Sequence, residues 1–398
     1  MDTRLGDALA LARQRAGLSQ EEAAEAVGLN RVVLSYYESG RRQPSLGTLL
    51  GLSRLYGLSL AALLEGLEGP EGPKPASEIL YRAAPRVLAG RARIGIQRFS
   101  ELLNAYVEIL EELGGKAPGR GRSPFSPVRA RAGRRDAARL ARSVRELLGL
   151  GSGLIDDLFR LVDEHVLVFS LSLGSDLTSA PSGLFYNHPL AGFCVVVNSD
   201  MTLGRQVFTL AHELAHAFFH SQDVDVWISM PGARAEGERF ADLFAGELLV
   251  PGEALARLID ELEAWEDIAD PVMVVHLQRH FGVSYAALLV RLRQEKLITP
   301  EQYEALGRIS PSTLAKRLGY PVNPADLGDY ELAPLDRFPD RMLRLFRAAI
   351  VRGVVTLGDA AETLGVSVED VLVLLEQPEA GASERRVLQD LEGAARVE

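Results

Sequence analysis

The segment LAHELAHAFFH, residues 210–220, constrains this chain more than any other feature, because it combines an apolar helical period with the pattern H-E-x-x-H. Apolar side chains recur at the i, i+3, i+4 and i+7 spacing that predicts one buried helix face; they are Ala211, Leu214, Ala215 and Phe218. His212 and His216 are one turn apart on an adjacent face. That spacing lets two imidazole nitrogens converge on one cation at about 2.0–2.1 Å.

Glu213 lies beside the two histidines and predicts a catalytic base, because the glutamate of such a motif accepts a proton from water that the metal activates. A third ligand is still needed, and EGERFADLFAGELLVP (236–251) offers Glu238, with Asp242 one turn later. An E-x-x-x-D helix after an H-E-x-x-H helix is typical of thermolysin-like zinc peptidases. There the Glu completes a His2Glu site and the Asp orients a ligating imidazole. Glu236 is the competing third ligand.

For the remaining polar residues near these motifs, the sequence gives weaker predictions of a functional role. His220 is predicted to be structural or to contact a ligand from behind, because four further residues rotate a helix by about 40° away from the histidine face. His276, His280 and Tyr285 could assist an oxyanion, but ordinary packing or surface roles are favoured. Zinc is the default metal for a His2Glu site, and manganese or iron stays open.

A second motif occupies the N-terminal end. GLSQEEAAEAVGLNRVVLSYYESGRRQPS (17–45) has the layout of a helix-turn-helix, with Ser19 capping the first helix and Asn30 the second. We predict two sets of DNA contacts: Arg31, Val32, Ser35 and Tyr36 toward the bases, and Gln20, Arg41 and Arg42 toward phosphates. The alternative is a small helical protein–protein module, such as a dimerisation domain.

Composition and the positions of Gly/Pro-rich stretches suggest how the chain divides into domains. Predicted segments are the helix-turn-helix module at 1–66, a helical and flexible linker region at 67–129, a catalytic domain at 130–300 and a helical C-terminal region of unknown role at 301–398. Gly/Pro-rich stretches at 66–77 and 114–127 predict flexible joints. Residues 78–113 are predicted to be helical, and the catalytic domain is predicted to contain a helix at 134–148 and strands at 166–173 and 192–198. HFGVSYAALLVRL and TLGDAAETLGVSVEDVLVLLE are loosely similar helix-turn-helix-like pieces.

The charge and the cysteine content limit which cellular compartment and which binding partners are expected. The net charge of −11 disfavours nucleic acid as a partner of the whole chain, yet the first 64 residues are near charge balance. A single cysteine, Cys194, predicts a reduced, buried thiol in the cytosol. The absence of an apolar signal core or of a long apolar run predicts a cytoplasmic protein without a membrane partner.

With these motifs in place, residues 3–64 resemble the XRE-type (Cro/repressor-like) helix-turn-helix, through LSQEEAAEAVGLN, YYESGRRQPS and YGLSLAALL. Residues of about 130–300 resemble the ImmA/IrrE family of metallo-endopeptidases, through RQVFTLAHELAHAFFH, ERFADLFAGELLVP and FGVSYAALLVRLRQEKLI. The implied fold is mainly α with a small α+β part. It comprises a five-helix helix-turn-helix domain, a minimal zincin-like peptidase core with a short sheet, and a helical C-terminal region.

The resemblance implies cytoplasmic proteins that relieve repression by cutting a partner repressor of XRE type. His212, His216 and Glu238 would then be metal ligands and Glu213 the catalytic base. A radiation-response role does not transfer, because the radiation-response members begin with the peptidase and end in a GAF-like sensor.

The expected function is therefore a DNA-binding transcriptional regulator with a zinc endopeptidase that cleaves an XRE-type repressor or antitoxin; a homodimer is left open. The alternative is a regulator whose peptidase-like domain only senses a ligand or partner. A third hypothesis is self-cleavage near 66–77 or 114–127.

Overall fold

The computed structural model describes residues 3–376 apart from 16–17, 57–62, 64–90, 127–132, 152, 177, 223, 231, 233–234, 264–267 and 328–331. Several predicted features lie outside the described residues: the fifth helix of the N-terminal module, the 66–77 hinge, residues 78–90 of the helical stretch predicted at 78–113, and the end of the chain after residue 376. The described residues divide into two compact units, 1–105 with 171–181, and 106–170 with 182–398.

The first unit contains the helix-turn-helix. Its helices are α1 (Thr3–Arg15), α2 (Gln20–Ala26), α3 (Arg31–Glu38) and α4 (Leu46–Leu55), and α5 (Arg91–Glu112) begins here. The Asn30 side chain caps α3 by accepting the Val32 N–H at 2.9 Å, and Gly28 between α2 and α3 adopts φ +67°, which confirms the predicted cap and turn. Leu34 and Tyr37 point into the core, where Leu9 and Leu52 are also buried.

The second unit holds a four-stranded sheet and many helices. Its elements before the site helices are α6 (Arg134–Leu147), α7 (Leu158–Val162), β1 (Leu167–Leu171), β2 (Gly183–His188) and β3 (Gly192–Asn198). The site region comprises α8 (Leu203–Ala215), a π turn (His216–His220), β4 (Val226–Ser229) and α9 (Glu236–Leu249).

The helices that follow are α10 (Gly252–Glu261), α11 (Pro271–Phe281), α12 (Tyr285–Gln294), α13 (Pro300–Gly307), α14 (Pro311–Arg317), α15 (Asp340–Val351), α16 (Leu357–Leu364) and α17 (Val368–Glu376), with 3-10 turns at Pro324–Asp326 and Leu335–Arg337. The mainly helical class with a small sheet is thereby confirmed. In the part of the chain that the structure describes, no helix is both long and apolar enough to cross a membrane.

The strand order is β1-β3-β2-β4, and β2 runs antiparallel to both neighbours, with Tyr186 opposite Cys194 on one side and Val226 on the other. Every residue of β2 and β3 is buried, which explains why GFCVVVN reads as an apolar run and confirms its prediction as a strand. Strands β2 and β4 were not predicted. The apolar runs LFY in GLFYNH and VWI in VWIS are only three residues long, shorter than the roughly four to eight residues that indicate a buried strand.

The site helices pack directly against this sheet. The predicted stripe of α8 and the π turn, including Leu214 and Phe218, is fully buried in one core with Phe185 of β2 and Phe244 of α9. Burial of this stripe fixes the rotation of the helix about its axis, so the adjacent face with His212 is oriented as the spacing predicts.

Part of the stretch at 114–127, predicted to be a flexible joint, is packed on the sheet. Gly119 N–H donates to the Leu190 carbonyl at 2.9 Å, and the Asn187 side chain bonds both the N–H and the carbonyl of Gly121 at 2.8 and 3.1 Å. A Cβ at Gly121 would come within 2.5 Å of the Phe193 ring, so glycine is needed for this close approach. Gly121 is therefore required for close packing on the sheet and not for chain mobility.

The turn between β2 and β3 makes a pH-dependent contribution to stability. The Nδ1 of His188 accepts the N–H groups of Leu190 and Ala191 at 3.2 and 2.9 Å, and burial lowers the pKa of His188 to about 4. Because this folded pKa lies below the unfolded value of about 6.5, the contribution is complete above pH 6.5 and is lost as the pH falls toward 4. We expect His188→Asn to flatten this loss, since the amide oxygen accepts the same N–H groups without titrating.

Urea unfolding at a series of pH values between 7 and 4 measures the effect. His280→Asn, at an exposed position of α11, is the matched control and should keep the parental profile. Identical profiles for the parent and His188→Asn would contradict the prediction.

Candidate metal centre

The structure brings the three predicted ligands together. The Nε2 of His212 is 3.2 Å from the Nε2 of His216 and 3.2 Å from Oε2 of Glu238, and Oε1 of Glu238 is 3.8 Å from the Nε2 of His216. One ligand atom from each side chain lies within 4.8 Å of the others, and all three residues are buried. Helix α8 supplies His212, the first residue of the π turn supplies His216, and the first turn of α9 supplies Glu238.

Two outer contacts determine which imidazole nitrogens face inward. The Nδ1 of His212 lies 2.9 Å from Oδ1 of Asp242, which accepts its proton and leaves the Nε2 lone pair toward the centre. The Nδ1 of His216 lies 2.9 Å from the Nδ1 of His220. A protonated Nδ1 on His216 that donates to His220 likewise frees its Nε2. His220 is therefore not one of the three ligands. It contacts the ligand His216 on the side away from the centre, as the sequence predicts.

Trp227 is the site residue that sequence reasoning missed. Its indole stacks on the His216 ring, with centroids 4.2 Å apart and planes inclined by 19°, and its Nε1–H donates to Oε1 of Glu238. It reaches the centre because β4 pairs with β2, where Trp227 is opposite Phe185. No local signal marks a tryptophan in a four-residue strand; only sheet pairing brings it there.

Glu213 is the most unusual group of the site. Its side chain is fully buried, and neither carboxylate oxygen has a hydrogen-bond partner of normal geometry among the described residues, although the Ser229 hydroxyl lies close enough to lower its pKa. Burial raises the pKa of Glu213 to about 8. Strand β2 lies directly against Glu213. A Cβ added at Gly183 of this strand would be 3.1 Å from Oε1 of Glu213 and 2.8 Å from the Val196 carbonyl oxygen. A buried, unpaired carboxyl is costly, and a polar or charged group beside it offsets that cost.

The two histidines differ in their electrostatics. Burial lowers the pKa of His212, but its hydrogen bonds to Asp242 and Glu238 outweigh burial and raise the pKa to about 10. Burial lowers the pKa of His216 well below its ordinary value, and the neighbouring His212 and His220 lower it further. His216 is therefore uncharged, whereas the carboxylates around His212 favour a proton on its Nε2, and a cation at the centre would take the place of that proton.

The donor set fits a divalent cation. Two imidazole lone pairs and one carboxylate converge in a buried space, and the opposite ring nitrogens are held by Asp242 and His220. Two nitrogens and one oxygen from three side chains are the protein ligands of a catalytic zinc site, which leaves a further coordination position open. A closed structural site would need a fourth protein ligand, and the described residues present no fourth member of this cluster.

Other sequence candidates lie elsewhere. Glu236 is exposed and falls outside the ligand triad, so the competing third ligand is not brought to the centre. His276 pairs through Nδ1 with the Tyr320 hydroxyl at 2.7 Å, and the Tyr285 N–H donates to Asp326. These contacts are packing interactions of the helices that follow the site. Cys194 is a buried free thiol, as expected.

The helix-turn-helix presents most of its predicted DNA contacts to solvent. Val32 is 53% exposed and Tyr36 41% exposed on α3. Arg31, Arg41 and Arg42 are also exposed, and Ser35 is half-buried. Gln20 is the exception, because its side-chain amide donates to Oε2 of Glu38 at 2.9 Å.

Fold and site together define a class of protein: a helix-turn-helix on the same chain as a zincin-like fold whose centre could hold a metal ion. Residues 9–63 match the helix-turn-helix family model, and residues 165–293 match the model of the IrrE N-terminal-like domain, a peptidase family. The chain therefore combines an XRE-type helix-turn-helix domain with a metallopeptidase-like domain of the IrrE type.

Curated relatives match over short stretches of the chain. The chain is 48% identical over 60 residues to the HTH-type transcriptional regulator ImmR of Bacillus subtilis (strain 168), which covers 15% of this chain and 47% of that protein. It is 39% identical over 69 residues to the HTH-type transcriptional regulator PuuR of Escherichia coli (strain K12), which covers 17% of this chain and 37% of that protein. The chain thus spans less than half the length of these relatives.

The Asp242 contact should tune metal affinity. We expect Asp242→Asn to weaken binding of Zn²⁺ by about tenfold, the low end of the effect seen for such outer carboxylates, because the Asp242 side chain is half exposed. Competition titration with a chromophoric chelator measures the affinity. Glu236→Gln on the same helix is the matched control and should leave it unchanged; a larger loss in Glu236→Gln would reverse the ligand assignment.

Proposed function

We propose that this chain is a DNA-binding transcriptional regulator that carries a zinc-dependent endopeptidase, with His212, His216 and Glu238 as the metal ligands. The observation that supports it best is the position of Glu213, which is buried and unpaired beside a three-residue donor set. A site that only stabilised the fold would have no use for such a base.

The chain's own residues suggest how a peptide would be hydrolysed. A bound divalent cation would supply Lewis acidity, which lowers the pKa of water and polarises a carbonyl. The buried Glu213 carboxylate accepts a proton from the attacking water and delivers it to the leaving amine. Asp242 and His220 hold the ligand rings, and Trp227 fixes Glu238 through its indole N–H.

The substrate we propose is a repressor or antitoxin of XRE type. Support comes from the combination of a helix-turn-helix with an IrrE-type domain on one chain. The test is to incubate the metal-loaded, full-length protein with the XRE-type repressors and antitoxins encoded beside its gene. One discrete cut that requires Glu213 is expected. Binding of these proteins or of a small ligand without any cut would favour the sensing module over the peptidase.

The exposed face of α3 leads to a separate prediction about DNA binding. Arg31→Ala is expected to weaken binding to DNA from upstream of the chain's own gene by about tenfold or more, because one good side-chain contact to a base contributes about 1–3 kcal/mol. Gel-shift titration at a fixed salt concentration measures it. Arg135→Ala, which removes an exposed arginine of α6, is the matched control. Equal losses in both variants would mean that only total charge matters.

A further inference from the structure

Helices α16 and α17 repeat the capping pattern of the N-terminal helix-turn-helix. A helix-capping side chain, a left-handed glycine and a second capping side chain recur at the same spacing: Ser19, Gly28 and Asn30 in the first module, and Thr356, Gly365 and Ser367 in the second. The two glycines have φ of +67° and +66°. Helices α16 and α17 therefore correspond to α2 and α3.

The burial pattern of the second helix corresponds as well. Val371 and Leu374 of α17 are buried at the positions of Leu34 and Tyr37 in α3. The outward positions of α3 are those predicted to contact bases, and their counterparts form what we call the α17 face: Val368, Glu369, Leu372 and Val373. The α17 face thus occupies the place of a recognition surface.

The chemistry of the α17 face differs from that of α3. Val368, Leu372 and Val373 are 46%, 43% and 52% exposed, and Glu369 and Glu376 are exposed beside them. The sequence from 353 to 376 contains acidic residues and no lysine or arginine. DNA affinity rests on basic groups that neutralise phosphates, so this surface repels a nucleic acid. Exposed apolar side chains in a recognition position indicate a protein partner instead.

The module is fixed to the peptidase-like part of the chain. Asp163, which follows α7, accepts the Arg341 N–H at 2.9 Å and an Arg344 N–H at 3.2 Å, both at the start of α15. Met342 and Phe346 of the same helix are fully buried. A partner on the α17 face would therefore be held at a set position relative to the metal centre, since both belong to one compact unit.

We propose that the α17 face docks a protein partner through an apolar patch bordered by arginine or lysine. This inference rests on the proposed function in one respect: it takes that partner to be the repressor or antitoxin that the metal centre cuts. Charge argues against a second copy of this chain, because a two-fold contact would bring the Glu369 and Glu376 carboxylates of both copies together.

The test measures binding without cleavage. Full-length, metal-loaded protein carrying Glu213→Gln is titrated against the fluorescently labelled repressors and antitoxins encoded beside its gene, at low and at high salt. We expect binding that weakens with salt. The double change Val368→Ser and Leu372→Ser should weaken it by at least about tenfold, as for central interface anchors, and Glu369→Lys should weaken it and reduce the salt dependence.

Leu262→Ser, at the exposed leucine that follows α10, and Glu261→Lys, at the last residue of α10, are the matched controls and should bind like the parent. Unchanged affinity in the α17 variants, no binding by any of these proteins, or binding of duplex DNA that Leu372→Ser abolishes would each overturn the docking proposal. If a repressor is cut equally well by the α17 variant, the peptidase proposal stands and the docking proposal falls. If it binds through the α17 face but is never cut, the reverse holds.

Discussion

Glu213→Gln is expected to lower the rate of substrate cleavage by about 10²–10⁴-fold, the usual contribution of a positioned general base. Glutamine has the same size as glutamate and no charge to bury, so the fully buried position tolerates it. Its amide cannot take up the proton of the attacking water. Single-turnover assays with the substrate found by co-incubation measure the rate, and mass spectrometry locates the cut.

The metal should stay bound in this variant, because Glu213 is outside the set of three converging ligands. Metal content per chain is therefore measured on the same preparation. Glu236→Gln, an exposed change on α9, is the control and should cleave like the parent. Retained cleavage in Glu213→Gln would refute the assigned base, whereas loss of metal would make Glu213 a ligand.

Arg291→Met is expected to destabilise the second unit by about 3–5 kcal/mol, the cost of leaving a buried charge without its partner. Arg291 is 1% exposed and pairs with Glu247 and Glu295, each at 2.6 Å, while its Nε–H donates to the Val250 carbonyl at 2.8 Å. The Glu247 carboxylate also accepts the Gly252 N–H at 3.1 Å. The Arg291 guanidinium thus links α12 to the end of α9, and Glu247 links α9 to the start of α10, so loss of Arg291 leaves the Glu247 carboxylate buried without a counter-charge.

Urea unfolding of metal-loaded protein measures this change. Arg293→Met, on the same helix but exposed and in contact with the Tyr303 ring, is the matched control and should cost less than about 1 kcal/mol. Adding Glu247→Gln to Arg291→Met should recover part of the loss, because it removes the unpaired charge. Equal costs at positions 291 and 293 would show that the buried ion pair contributes nothing particular.

Much of the fold could be predicted wherever a local rule decides the conformation. The helix at 134–148, the strand at 192–198 and the caps of α3 follow from periodicity and capping side chains, and the structure has them at Arg134–Leu147, at Gly192–Asn198 and at Asn30. Strands β2 and β4 could not be found this way. Their stability comes from pairing with neighbours distant in sequence and not from their own pattern.

The same division holds for the candidate site. The sequence by itself determined the choice of His212, Glu213 and His216, because the H-E-x-x-H spacing fixes which side chains are one helical turn apart before any packing is known. The choice of Glu238 over Glu236 came from the similarity of the two motifs to those of thermolysin-like peptidases. Only the tertiary structure decided that Trp227 contacts Glu238, that His220 contacts His216, and that Glu213 lies buried under β2. Those contacts depend on sheet pairing, on the π turn after Ala215 and on helix packing. These three features are determined by how the whole core packs, so no local sequence pattern predicts them.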